Sequence, residues 1–529
     1  MLRLFEKPRW SLDSLAPPWG ELESIYDHLR RSPNSDSLPD EPMLVAKSKF
    51  RWSGGAMDGV FGHHFGSADA TKRVFQLAEA VGRLLRKADN RTLRDLYELL
   101  VQDATLSHVD PLLQQLSQST DSNDFARLVE IGRYFATRAV HREAVKLGLA
   151  LLGAFGSSDD LAILKVLGRN DEFTLFAAVA IARVTADPEQ ALWELAREVH
   201  GWGRIQIVER LKDTKNSEIQ SWMLKDGFRN NIMDEYLACI CARAGRLHEA
   251  LNQQFVDDAL LDGAADILRA LIPGGGPAEG IDDYAHAADT CESYVNLVWA
   301  RSDLGLKHFL AVASLRRFLS SPQGWDKREG MGWSELRRRE VETLCADVLA
   351  RAIWRQQISE ALSSNDESTF YDGDMAAKEL SIDTWEVHFK RVSIAPFTSS
   401  SWYRLMQQTD EARIDRVLEF AEASLPLEQI ATGPGDELGL GPGSELHGTL
   451  DWILQDLRRF PLRGWKFVHA GLQSPVVRNR NWSINVLETW PRESWTPEVI
   501  TVLQKVRDIE PDQKAKGRLT DLLKGKSSI

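Results

Sequence analysis

The chain has 529 residues, of which 43% are hydrophobic and 27% are charged, so it is unlike disordered or disulfide-stapled proteins. At about 150 residues per domain, this length corresponds to roughly three or four domains or to one long repetitive array. The formal net charge of −13 opposes the electrostatic attraction to phosphate that drives non-specific nucleic-acid binding. It disfavours anionic membranes for the same reason.

The four cysteines are Cys239, Cys241, Cys291 and Cys345. They have neither the CxxC spacing of a zinc site nor the density of a secreted scaffold. Cys291 and Cys345 fall within helical patterns, which favours buried packing roles. Because the N-terminal segment does not resemble a signal peptide and no apolar run is long enough to span a bilayer, we expect a cytoplasmic protein without a membrane segment.

Residues 1–70 are predicted to form an irregular N-terminal extension, since turn-forming residues are dense at 32–42 and 53–66. The second of these segments, SGGAMDGVFGHHFG, contains His63 and His64 near Asp58. The two histidines could bind a metal if a third ligand came from elsewhere, or they could contact a partner. The glycines are equally explained by turns that pack against the first helices.

Residues 71–273 are predicted to form HEAT-like helical repeats. One helical face between residues 171 and 184 carries Phe173, Phe176, Ala177, Ala180, Ile181 and Val184. Asn170 or Asp171 is placed to cap that helix. A cap residue followed by proline, which marks a helix start, occurs at Asp110-Pro111, Asp187-Pro188 and Thr496-Pro497.

Gly/Pro-rich breaks at 272–280 and 432–445 separate an acidic helical block, 281–431, from C-terminal HEAT-like repeats at 447–529. Residues 281–445 hold 17 basic and 28 acidic side chains, a balance of −11, whereas 447–529 hold 14 and 9, a balance of +5. Longer helices are expected near 291–319 and 334–362. The pairs Asp283/His286 and Glu386/His388 are best explained by capping or surface roles.

Short antiparallel helices that recur in pairs every 35 to 45 residues or so indicate an all-α fold, an α-solenoid of HEAT or armadillo type with an irregular N-terminal extension. A compact helical bundle is the alternative.

The most polar run of the C-terminal block lies in SPVVRNRNWSINVLETW, where Arg478, Asn479, Arg480 and Asn481 precede a helix. This run could bind an acidic partner or phosphate. The favoured interpretation is structural: these side chains satisfy turn carbonyls and form ion pairs between repeats, with Trp482 in the core.

Tryptophan is unusually frequent, with 17 residues against 8 tyrosines. Four lie within helical patterns that predict core burial: Trp299, Trp354, Trp452 and Trp482. Six lie in or beside irregular segments, where the ring could fix a loop or face a partner: Trp10, Trp19, Trp52, Trp325, Trp333 and Trp402.

Two segments resemble HEAT repeats: KFVHAGLQS with SPVVRNRNWSINVLETW, and the stretch from REAVKLGLALLGAFG to TLFAAVAIARV. The segment LPLEQIATGPGDELGLGPGSELHGTLDWILQDLRRFP resembles a bacterial family of HEAT-like chains, some of which are labelled limonene hydroxylase. That resemblance implies a monooxygenase, although no haem, flavin or di-iron ligand set is found in the sequence to transfer.

The complete phosphate-loop motif Gly-x-x-x-x-Gly-Lys-Ser/Thr and the Gly-x-Ser-x-Gly motif are absent from the sequence; Gly525-Lys526-Ser527 has Thr520 where the first glycine of the phosphate loop would be. No cofactor is therefore expected. The favoured function is a scaffold or adaptor that binds a protein or peptide partner on a curved surface. The alternatives are a monooxygenase and nucleic-acid binding through the basic C-terminal repeats.

Overall fold

The computed structural model describes residues 10–33, 35, 37–41, 54–56, 71–273, 278–397, 399–441 and 443–525. Within these residues the chain forms 29 α-helices and no strand, and helices account for 70% of the structure. The all-α prediction is confirmed. The chain divides into two compact units, residues 1–351 (unit 1) and 352–529 (unit 2).

The helices of unit 1 are α1 (Ile25–Arg31), α2 (Thr71–Arg86), α3 (Asn90–Leu100), α4 (Val109–Ser119), α5 (Phe125–Arg138), α6 (Arg142–Phe155), α7 (Leu161–Gly168), α8 (Asp171–Val184), α9 (Pro188–Ala196), α10 (Gly201–Val208), α11 (Ser217–Trp222), α12 (Glu235–Ala244), α13 (Leu247–Ala250), α14 (Asp258–Leu271), α15 (Ala287–Ala300), α16 (Leu306–Ser320), α17 (Trp325–Arg328) and α18 (Glu335–Leu349).

The helices of unit 2 are α19 (Ile353–Leu362), α20 (Glu367–Glu379), α21 (Trp385–Ile394), α22 (Ser399–Gln407), α23 (Ile414–Ser424), α24 (Leu427–Ile430), α25 (Glu445–Leu457), α26 (Trp465–Leu472), α27 (Val477–Glu488), α28 (Pro497–Ile509) and α29 (Gln513–Leu523). In both units the main contacts join helices that are close in sequence, such as α5 with α6, α6 with α8, α25 with α27 and α26 with α27.

Local capping chemistry determines where several helices begin. The side chain of Asn170 accepts a hydrogen bond from the Glu172 N–H at the start of α8. Asp187 and Thr496 do the same for α9 and α28, each followed by proline at the first helical position. These three predicted helix starts are confirmed, because the cap requires only residues within one turn.

The predicted cap at Asp110 is wrong. Helix α4 begins at Val109, so Asp110 and Pro111 lie inside its first turn. A 3₁₀ turn over Thr105–Ser107 leads directly into α4, which moves the helix start towards the N-terminus. Pro111 is still tolerated there, because the first four N–H groups of a helix have no intrahelical partner.

The two long helices predicted in the acidic block are each divided. The first is α15 and α16, which are separated by a turn that ends at Gly305, the residue that precedes α16. The second is α18 and α19, which are interrupted at residues 350–352. The first interruption coincides with Ser302, Asp303 and Gly305, which favour a turn, whereas no glycine or proline marks the second.

The N-terminal extension is not irregular throughout, because Ser24 caps a short helix, α1. Its described residues are held against unit 1 by polar contacts. The carboxylate of Asp40, which is fully buried, accepts hydrogen bonds from the Arg142 backbone N–H at 2.9 Å and from its side chain at 3.0 Å. The Gly55 N–H donates to Glu172, whose carboxylate also pairs with Lys146 at 2.7 Å.

The tryptophans divide differently from the prediction. Trp354 is buried as expected, and Trp452 and Trp482 pack partly buried against the core, but Trp299 is 52% exposed. Trp333 and Trp402 are buried although they adjoin irregular segments, and the Trp10 indole donates to the Leu84 carbonyl. Trp52 lies outside the described residues.

Arginine side chains bind the carbonyl groups at the ends of many helices. Arg351 donates to the carbonyls of Val298 and Arg301 at the end of α15, and Arg338 donates to Leu319 at the end of α16. The remaining pairs are Arg73 with Leu99, Arg127 with Leu85, Arg204 with Ala196, Arg459 with Met406 and Arg492 with Leu522. Carbonyls in the last turn of a helix lack the usual donor four residues ahead. Several of these, such as those of Val298 and Met406, accept an N–H from just past the helix end, and the guanidinium group supplies a further donor.

Glycine allows α5 and α6 to pack very closely. A Cβ atom at Gly148 would lie 2.6 Å from the Ala136 nitrogen and 2.8 Å from the Gly132 carbonyl oxygen. Because these neighbours are backbone atoms of α5, they cannot move aside without shifting the helix. At Gly82 in α2, by contrast, the nearest atom is the flexible end of Arg86 at 3.5 Å.

Gly148→Ala should therefore destabilise unit 1 by about 1–3 kcal/mol through overpacking. Gly82→Ala, the matched control, should be neutral or should stabilise by up to about 1 kcal/mol, because alanine favours helix. Urea unfolding of the two variants measures the difference. Equal effects of the two substitutions would contradict the close contact between α5 and α6.

Burial lowers the pKa of His108, His248 and His308 below the ordinary value of 6.5. Above pH 6.5 these groups are neutral in both the folded and the unfolded chain. As the pH falls below that value, the unfolded chain takes up protons that the folded chain does not, so the free energy of unfolding decreases.

We expect the urea midpoint to fall between pH 7 and about pH 5.5, with each histidine contributing at most about 1.4 kcal/mol per pH unit. His108→Asn removes one titrating group whose Nε2 atom is buried without a hydrogen-bond partner. This variant should lose less stability than the unmodified chain over the same interval. An equal loss would exclude His108 as a contributor.

Among the described residues, no helix combines the length and the apolar character needed to cross a lipid bilayer.

Candidate functional site

Arg480, one of the predicted partner-binding residues, is completely buried at the start of α27. Its guanidinium pairs with Glu510 at 2.7 Å, and both side chains have no exposed surface. It also donates to the carbonyls of Ser474 and Pro475, at 2.8 and 3.1 Å, in the turn after α26. The side chain of Arg480 therefore joins that turn to the residue that follows α28.

Asn479 is also buried, and it donates to Asp451 at 2.6 Å and to the His447 carbonyl at 2.9 Å. Arg478 pairs with Asp451 and stays partly exposed. Burial raises the pKa of Asp451, and this increase is larger than the decrease caused by the hydrogen bond from Arg478. Asn481 is half-buried and accepts a hydrogen bond from Arg518 at 3.3 Å.

The Gly/Pro-rich segment at 432–445 lies beside this run. The Glu437 N–H donates to the Pro475 carbonyl at 3.2 Å, and the Val477 N–H donates to the Glu437 carbonyl at 3.1 Å. Gly439 has a φ of +64°, and a Cβ atom there would lie 2.6 Å from Val476. The segment therefore needs glycine in order to pack against the residues before α27, and of the predicted run only Arg478 and Asn481 keep exposed surface.

The other predicted residues are placed as follows. His63 and His64, with Asp58, lie outside the described residues. Asp283 accepts from the Gly280 N–H at 2.8 Å, and the His286 ring stacks on His248 with centroids 3.6 Å apart. All four cysteines are buried and reduced, and burial raises the pKa of Cys345 to about 12. Within the part of the chain described, no group of three histidine, cysteine or acidic residues could hold a metal ion.

Glu386 and His388 do not form a pair in the structure, because each side chain has a different partner. Glu386 pairs with Arg416 at 2.6 Å on the surface, whereas His388 is buried and its Nε2 atom lies 2.8 Å from Asp374. Arg404 contacts the other oxygen of Asp374 at 2.7 Å. Burial raises the pKa of Asp374, but the hydrogen bond from His388 and the nearby positive charge outweigh it and hold that pKa below its ordinary value of 3.8. The Thr384 hydroxyl donates to Asp374 at 3.2 Å. We call Asp374, Thr384, His388 and Arg404 the Asp374 network.

The sequence did not suggest the Asp374 network. Its members are separated by up to 30 positions and belong to three helices and a loop. The available signal is weak, because an aspartate, a histidine and an arginine on neighbouring helices resemble ordinary surface charges until the packing is known.

An open cleft of about 570 Å³ lies in unit 1 between the residues before α12 and the end of α14. We call it the unit 1 cleft; its lining residues are Arg229, Asn231, Ile232, Met233, Asp234, Glu235, Asp266, Arg269 and Ala270. Two adjacent aliphatic side chains of the lining are exposed, Ile232 by 39% and Met233 by 42%. The lining therefore combines an exposed apolar pair with charged side chains.

The buried side chain of Asn230 fixes the loop that carries these two residues. Its Oδ1 atom accepts from the N–H groups of Ile232 and Met233, both at 2.9 Å, and its Nδ2 atom donates to the Met233 carbonyl at 2.8 Å. Asn231, which lies between Asn230 and Ile232, has a φ of +64°, a conformation that asparagine tolerates better than most residues. The turn holds Ile232 and Met233 outward.

Charged groups surround the apolar pair. Arg229 and Asp266 form an ion pair at 2.7 Å, and Lys307 lies 3.3 Å from the same carboxylate. Burial raises the pKa of Asp234 at the start of α12. The lining contains three carboxylates and two guanidinium groups, so it is slightly acidic overall.

No protein-family model matches this chain, and no curated protein sequence matches it significantly.

Arg480→Met should destabilise the C-terminal helices by about 3–5 kcal/mol, because it leaves the Glu510 carboxylate buried without a partner. The double variant Arg480→Met/Glu510→Leu should recover a large part of that loss. Hydrogen exchange of the α27 and α28 amides measures both effects. A double variant as unstable as the single one would show that the carbonyl contacts of Arg480, not its charge, stabilise the region.

Proposed function

We propose that this chain is a helical-repeat scaffold, with HEAT-like helix pairs, that binds a protein or peptide partner in the unit 1 cleft. The observation that carries the proposal is the outward display of Ile232 and Met233 by a loop fixed through a buried asparagine. Burying two aliphatic side chains on binding is favourable, and a fixed loop reduces the entropy lost when the complex forms.

The surroundings of the cleft agree with this use. Protein interfaces commonly combine an apolar centre with a polar rim, and methionine adapts to differently shaped partners. The pairing of successive helices supports a repeat architecture, in which each repeat contacts mainly its neighbours and binding surfaces need no specialised chemistry. The slight excess of carboxylates favours a peptide that carries an apolar side chain next to lysine or arginine.

The proposal can be tested with a displayed peptide library selected on the full-length protein, followed by affinity measurement of the enriched peptides. Met233→Glu should weaken their binding at least tenfold, because it places a charge in the apolar centre. Leu336→Glu is the matched control. Leu336 is 67% exposed in the same unit and does not line the cleft, so its replacement should leave affinity unchanged.

The outcomes separate the two parts of the proposal. Enriched peptides that bind Met233→Glu as tightly as the unmodified chain would exclude the unit 1 cleft as the binding place. A selection that enriches no specific peptide would contradict the binding function itself.

A further inference from the structure

A second cleft, of about 410 Å³, lies entirely within unit 2 next to the Asp374 network. We call it the unit 2 cleft; its lining residues are Asp374, Lys378, Ser381, Ile382, Asp383, Thr384, Arg404, Gln407, Gln408 and Arg413. Its volume falls within the range of small-molecule sites. Nine of these ten side chains are polar, so hydrogen bonds and charge are available to recognise a ligand.

The carboxylates of the unit 2 cleft already have partners. Asp374 accepts from His388 at 2.8 Å, from Arg404 at 2.7 Å and from the Thr384 hydroxyl at 3.2 Å. Asp383 pairs with Arg413. Gln408 and Thr384 are joined by two hydrogen bonds, at 2.8 and 3.0 Å. This part of the lining is a fixed framework whose acceptors are occupied.

Three donors in the same lining are not engaged in this way. Within the residues described, the side chains of Lys378, Ser381 and Gln407 have no hydrogen-bond or ion-pair partner in the chain, and all three are exposed. With Lys378, Arg404 and Arg413 against Asp374 and Asp383, the lining carries a net charge of +1. The surrounding block 281–445 has a balance of −11, so this excess of positive charge is local.

The backbone at Ser381 adds a second observation. Helix α20 ends in a Schellman motif, in which the Ile382 N–H bonds to the Ala377 carbonyl at 2.8 Å and the Ser381 N–H to the Lys378 carbonyl at 3.1 Å. Ser381 has a φ of +52°, at the position of this motif where glycine is usual. Serine there is conformationally less favourable than glycine, and it is one of the residues that line the cleft.

We propose that the unit 2 cleft binds a carboxylate group. Lys378 supplies the single uncompensated positive charge, and the Ser381 hydroxyl and the Gln407 amide donate hydrogen bonds. One positive charge in excess matches a monoanion better than a phosphate group, which is normally bound by several arginines or by backbone N–H groups. The carboxylate can belong to a small organic acid or to the C-terminus of a peptide, since both present the same two oxygens.

The test uses the full-length protein and isothermal titration with five probes. They are benzoate and its neutral amide, a short peptide with a free C-terminus and the same peptide amidated, and inorganic phosphate. Benzoate and the free peptide should bind, and the two amides should not. The tighter of the two carboxylates identifies the source of the ligand.

Three variants locate the binding. Lys378→Gln should weaken carboxylate affinity about tenfold, because a charge-assisted hydrogen bond is lost. Ser381→Gly should weaken it severalfold while the thermal midpoint stays unchanged or rises, since glycine suits that backbone conformation. Lys390→Gln, which replaces an exposed lysine of unit 2 outside the cleft, should have no effect.

Three results would overturn the proposal: no carboxylate probe binds at millimolar concentration, phosphate binds more tightly than both carboxylates, or Lys378→Gln and Ser381→Gly leave carboxylate affinity unchanged. A fall in affinity for Ser381→Gly with intact stability cannot be explained by misfolding. The site lies in unit 2, so its failure would leave the proposed peptide binding in unit 1 untouched.

Discussion

The hydrogen-bonding requirement of helix ends is the constraint on which most of this structure depends. Each helix leaves four carbonyl groups at its C-terminus without an intrahelical donor, and the 29 helices of the described residues meet this problem many times. Besides backbone N–H groups just past the helix ends, arginine is a recurrent donor here, as in Arg351 at the end of α15 and Arg480 in the turn after α26. A planar guanidinium can reach two or three carbonyls at once, which a lysine ammonium group does with less geometric precision.

Both clefts lie beside a helix end or turn whose backbone groups are bonded by something other than arginine. In unit 1 the buried amide of Asn230 satisfies the turn before α12, and Ile232 and Met233 are left facing outward. In unit 2 a Schellman motif ends α20, and Ser381 enters the cleft as part of it. The surfaces proposed for binding are therefore held by the same backbone hydrogen bonds that end the helices.

Sequence reasoning identified three of the four predicted helix caps, and it failed where burial depends on packing. The caps at Asn170, Asp187 and Thr496 are local, and their positions could be predicted. The cap predicted at Asp110 was wrong because a 3₁₀ turn starts the helix earlier. The predicted burial of Trp299 was wrong because periodicity identifies the face of a helix but not whether another helix covers that face.

The candidate sites were less predictable for the same reason. Arg480 could be assigned a structural role from its position near a turn, but its partner Glu510 is 30 residues away. Asp374 and His388 come together only because α20 and α21 pack with the loop between them. Lys378 could not be distinguished from any other exposed lysine, since its significance depends on which neighbouring carboxylates already have partners.

The arginine contacts also bear on how the chain reaches its structure. They join residues that lie between 5 and 53 positions apart in a chain of 529, as the contacts of Arg480 with Pro475 and of Arg459 with Met406 illustrate. Contacts of such short range require little loop-closure entropy, and low contact order is associated with rapid folding. Helices near the N-terminus can therefore acquire their end contacts while later segments are still being synthesised.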